Sequence, residues 1–129
     1  MPPGTSLVST YAEFPFIPTF DSVSRNARFI GGGAIESFLE DGDDDILLEQ
    51  FDYVYGYSID AQYAADDAAE YIALLIAQHG FTKQLEHRGY GDNGYVIEMI
   101  YLYHPLEDMT LLLAHRHYDN VILVFLGSG

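Results

Sequence analysis

Between Glu36 and Glu70 the chain carries twelve carboxylates and no lysine or arginine, and no basic side chain occurs between Arg28 and Lys83. Any fold must leave these charges in water, because an isolated buried carboxylate costs far more than its packing could return. With a net charge of −15, the compact state also works against its own repulsion. Asp66 and Glu70 stand i,i+4 on a predicted helix, where like charges cost about 0.2–0.5 kcal/mol. A directed use of the negative field, against a positively charged partner, is the simplest reason for such an arrangement. A halophilic or merely solubilising surface would carry the same charge.

The charge does not imply disorder. Of the 129 residues, 49% are hydrophobic, with 11 tyrosines and 8 phenylalanines, so a single domain with a sizeable core is expected. The absence of cysteine excludes disulfides and thiolate metal sites and suits a reducing, cytoplasmic setting. Met1 to Ser6 lacks the pattern of a signal peptide, and the apolar run Val121 to Leu126 is too short to span a bilayer. Anionic lipid and nucleic-acid phosphate would both repel the surface, so neither a membrane nor nucleic acid is expected as a direct partner.

Periodicity predicts an α+β fold: one long helix over about 59–79, then a four-stranded antiparallel meander over 81–126. The division within the single domain falls between an N-terminal arm with the acidic segment, 1–57, and the helix plus sheet, 58–129. Pro2, Pro3, Pro15 and Pro18 make the first twenty residues an irregular, aromatic-rich arm. Ser22 to Ile30 is read as a short helix stopped by Gly31-Gly32-Gly33, and 34–39 as a further helical turn. Phe51 to Tyr57 places an aromatic at every second position, a strand pattern. Ser58 is expected to cap the long helix and Gly80 to end it. Its core stripe is read as Ala61, Ala65, Ala68, Ile72, Leu75, Ile76 and His79.

Turn lengths in the meander set His87 opposite Glu98 and, across a two-residue Asp119-Asn120 loop, Arg116 opposite Leu123. Val96, Glu98, Ile100 and Leu102 then share a face with Leu112, Ala114, Leu123 and Phe125. Tyr95, Ile97, Met99, Tyr101 and Tyr103 share the other with Leu111, Leu113, His115, Ile122 and Val124. Both faces are mostly apolar, and one helix covers only one. The second calls for the N-terminal arm, a sister subunit in a homodimer, or a partner.

Several residue groups bear on chemistry. Asp41, Asp43, Asp45, Glu49 and Asp52 fall on alternate and terminal positions of a calcium loop, yet Ile46 stands where that loop needs glycine and Asp52 where it needs glutamate. A solvated acidic loop fits better. His115 and His117 point to one face of a strand as a zinc pair would, but the expected register sends His87, His104 and Glu98 to the other face and leaves no third ligand. His87 beside Glu98 could serve acid–base chemistry, although no nucleophile motif accompanies them. No catalytic residue, metal ligand or cofactor is therefore assigned.

The tyrosines among the acids suit an interface, where aromatic anchors bind and carboxylates steer. The expected partner-binding set is Glu40, Asp41, Asp43, Asp44, Asp45, Glu49, Asp52, Tyr53, Tyr55, Asp66, Asp67 and Glu70. The expected function is that of a non-enzymatic, acidic inhibitor occupying the basic, nucleic-acid-binding site of a partner protein. Anti-CRISPR proteins of phage and immunity proteins against nuclease toxins are settings analogous in charge and size. The alternatives are an oligomeric domain of halophilic type with a general acidic coat, and a small enzyme or metal-binding protein using histidine and glutamate.

Overall fold

The computed structural model describes residues 10–34, 51–90, 96–117 and 120–128. It corrects the expected architecture. Among the described residues the main sheet has six antiparallel strands, not four, in the order β3-β4-β8-β7-β6-β5, and a separate two-stranded sheet lies near the start. In chain order the elements are β1 (Thr10–Tyr11), β2 (Phe14–Pro18), the single turn α1 (Phe20–Val23), β3 (Arg28–Ala34) and β4 (Tyr53–Ser58). The long helix α2 (Ala61–Gln78) follows, then β5 (Thr82–Tyr90), β6 (Val96–His104), β7 (Met109–Arg116) and β8 (Val121–Ser128). The segment read as an arm and acidic prelude thus supplies two strands of the main sheet, and β4 lies inside it, paired with β3 and β8.

The prolines of the first segment are compatible with β2 because a two-stranded sheet consists only of edges, where a missing N–H breaks no ladder. The helix expected from Ser22 shrinks to α1, and Gly31-Gly32-Gly33 is not a stop but the body of edge strand β3. Gly32 explains why glycine is needed: a Cβ there would lie 2.6 Å from Tyr55 Cδ1 and 2.7 Å from the Val54 carbonyl oxygen. The triplet lets β3 close onto an aromatic strand, just past a register shift between Phe29 and Gly31.

Helix α2 is also rotated and shortened relative to expectation. Ser58 ends β4, and Asp60 occupies the N-cap without a side-chain cap bond. The buried stripe is Ala64, Ala68, Tyr71, Ile72 and Leu75, while Ala61, Ala65 and Ile76 are exposed. Tyr71 decides the rotation. Its ring is fully buried, edge-on to Phe20, and its hydroxyl donates to the Pro18 carbonyl at 2.6 Å. At the other end Gly80 adopts φ +81°, and the Phe81 N–H reaches back to the Leu75 carbonyl at 3.2 Å.

Two loops set the register of the meander. Pro105–Asp108 is a four-residue loop joining the pair His104↔Met109, so even-numbered residues of β6 face odd-numbered residues of β7. The expected grouping was one residue out, and a one-residue slip exchanges the faces of a strand. Between β7 and β8 the pair is Arg116↔Val121, not Arg116↔Leu123. That slip is two residues and leaves the faces unchanged. His87 pairs with Met99 and not with Glu98.

One face of the sheet therefore carries Tyr53, Tyr55, Tyr57, Ile100, Leu102, Leu111, Leu113, Ile122, Val124 and Leu126, packed with α2 and with Tyr11, Ile17 and Phe20. Residues 10–23 of the N-terminal arm pack on this helix side. The second face centres on Val54, Leu112, Ala114 and Phe125, closed over by Phe51, whose ring lies 5.6 Å from that of Phe125. Ile97, Met99, Tyr101 and Leu123 surround this centre, partly buried.

Candidate functional site

The corrected register assembles a cluster that the expected one had dispersed. Glu98 on β6 is the direct cross-strand neighbour of His115 on β7. His117 follows two residues later, and its N–H bonds the Val96 carbonyl at 3.0 Å, extending the ladder past the end of β7. A period of two returns the His117 side chain to the face of His115, diagonally across from Glu98. The two imidazoles stack with centroids 4.1 Å apart and planes inclined by 25°. His117 Nε2 stands 3.4 Å from Glu98 Oε2. Ligand atoms of all three side chains lie within 4.8 Å of one another. His115 is buried at 6% exposure, whereas the side chains of His117 and Glu98 are 40% and 36% exposed. The cluster has a buried floor and an open rim.

His104, weighed with His87 as a further ligand, is spent on packing. Phe16 and Phe81 approach its ring edge-on at 5.0 Å each, Gly80 leaves it room, and its Nδ1 accepts the Glu107 N–H at 3.1 Å. The backbone position of His87 opposite Met99 removes the proposed His87–Glu98 pair.

Of the expected partner-binding residues, Glu40, Asp41, Asp43, Asp44, Asp45 and Glu49 lie outside the described residues, and so does most of the calcium-loop pattern. Asp52 is exposed beside β4, with its backbone N–H on the Leu126 carbonyl. Asp66 and Glu70 are exposed on α2. Asp67 has a structural tie, accepting from Ser24 Oγ at 2.5 Å and from Asn26 Nδ2 at 2.9 Å, which fastens the segment after α1 to the helix.

Tyr53 and Tyr55 are half-buried on the helix side. Tyr53 meets Phe14 edge-on, and Tyr55 stacks on Tyr11 while its hydroxyl donates to Glu13. Burial first, then the Glu13 carboxylate, pushes the Tyr55 hydroxyl above its ordinary range. These rings hold the N-terminal segment to the sheet.

Two acids elsewhere extend the exposed negative surface of the helix side: Asp21 on α1, and Asp60 at the start of α2. Sequence reasoning passed over Asp21 because it stands apart from the acidic run. Among the described residues no helix is long and apolar enough to cross a membrane. No protein-family model matches this chain, and no curated protein or solved structure is found to be similar to it.

Proposed function

We propose that this chain is an acidic binding protein that occupies a positively charged site on a partner protein, in the manner of an inhibitor that stands in for nucleic acid. The observation that carries the reading is the outer surface of α2. The helix contains no lysine or arginine, buries only its Ala64–Leu75 stripe, and turns Asp66 and Glu70 to solvent just beyond Asp60. Helical stability does not require that choice, since Asp66 and Glu70 repel each other at i,i+4. A row of carboxylates on a rigid rod can address the lysines and arginines that a phosphate backbone would otherwise engage. The sequence run from Glu36 to Glu49 adds seven carboxylates.

A pull-down on the immobilised protein tests this reading. Lysate of the source organism, applied at low salt, should yield a basic protein that high salt releases. An evenly acidic surface of halophilic type predicts no such selective capture.

A further inference from the structure

We infer that Glu98, His115 and His117 form a binding site for a divalent transition-metal ion of the zinc type. The inference uses residues apart from the acidic helix surface and is independent of the proposed partner. Two imidazoles and one carboxylate form a donor set suited to zinc and its first-row neighbours, whereas calcium and magnesium favour all-oxygen surroundings. Glu98 and His115 are direct partners on adjacent paired strands, and the N–H bond of His117 to the Val96 carbonyl ties the residue just past β7 to the same ladder, so the backbone fixes their origins before any ion arrives.

The spacing favours an ion over a simple ion pair. Ligand bonds of about 2.0–2.1 Å in tetrahedral geometry put donor atoms roughly 3.3–3.5 Å apart. The Glu98–His117 separation is 3.4 Å. That is long for a charge-assisted hydrogen bond, which closes to about 2.7–2.9 Å. All donor separations lie within 4.8 Å, so modest side-chain rotations bring the third ligand into range. Buried His115 supplies the wall of the site, and the half-open pair Glu98 and His117 supplies the entrance. Three protein ligands leave a fourth position for water or a small anion, and the strongly negative chain raises the local concentration of cations.

The test is calorimetric titration of the full chain, stripped with chelator, with Zn²⁺ at neutral pH, alongside Glu98→Gln and His117→Ala. One equivalent should bind to the unmodified chain, and each substitution should weaken binding by roughly tenfold or more, since even outer-shell losses cost that much. Zn²⁺ should also raise the melting temperature of the unmodified chain and move the imidazole nitrogen resonances of His115 and His117, readouts that stand even if one variant folds poorly. Co²⁺ should give visible bands of low coordination number that Zn²⁺ abolishes. Absence of binding, binding by both variants as tight as by the unmodified chain, or displacement of Zn²⁺ by excess Ca²⁺ would overturn the site and leave a stacked histidine pair beside a glutamate, with any bound ion held by the acidic run.

Discussion

At the scale of single residues, the helix side is pinned by buried tyrosines. The hydroxyls of Tyr11 and Tyr57 lie 2.7 Å apart, the Phe20 N–H donates to Tyr11 at 3.2 Å, and Tyr71 donates to Pro18. Burial, and next the charge that a neighbouring tyrosine would carry, pushes all three hydroxyls well above their ordinary range. Raised folded-state values mean that the stability held by these neutral hydroxyls is intact below the unfolded value of about 10 and is lost as pH rises beyond it. Each such tyrosine then costs about 1.4 kcal/mol per pH unit, or about 4 kcal/mol for the three together. In an alkaline titration, the last tyrosinate absorbance should therefore appear together with loss of circular dichroism. Ionisation of every tyrosine near pH 10 with the fold intact would contradict this network. Tyr11→Phe, which leaves two buried groups short of a partner, should cost about 1–3 kcal/mol in denaturant unfolding.

At the scale of elements, Gly80 and α2 give opposed predictions. Gly80→Ala meets both a positive φ and the His104 ring, since its Cβ would fall 2.8 Å from Nε2. A loss of about 1–3 kcal/mol is expected by thermal or urea unfolding. Glu70→Lys creates an acid-then-base pair with Asp66 at i,i+4 and should stabilise by about 0.2–0.5 kcal/mol. The same change should slow association with a basic partner, so stability and binding move in opposite directions.

The Gly80 stop was legible because a helix end in the left-handed region selects glycine, and β4 was legible because its aromatics alternate. Strand β3 was not. Gly31-Gly32-Gly33 reads locally as a breaker, and only the close approach of Tyr55 and Val54 makes it a strand. The Glu98–His115–His117 cluster was half legible: the i,i+2 histidines are visible in sequence, but their third member depends on the parity of one four-residue loop. The helix face was legible in Ala68, Ile72 and Leu75 but rotated from its true centre, because the expected stripe gave Tyr71 no place although its ring and hydroxyl both find partners inside.

At the scale of the molecule, the two sheet faces are filled differently. Helix, arm and sheet share one core, while the second face is closed at its centre within the single chain, with Leu112 at 2%, Ala114 at 4% and Phe125 at 9% exposure. A second copy is therefore not needed to cover that centre, and sedimentation is expected to show a monomer. The proposed mode of action is competition of outward-directed carboxylates for a site that holds phosphates. Its most direct test is elution of the captured partner from the immobilised protein with duplex DNA at low salt, against an uncharged polymer as control. DNA should release the partner, and the Asp66→Lys/Glu70→Lys variant should capture less of it while keeping its fold. A partner retained in the presence of DNA, or captured equally by the charge-reversed helix, would rule out that competition.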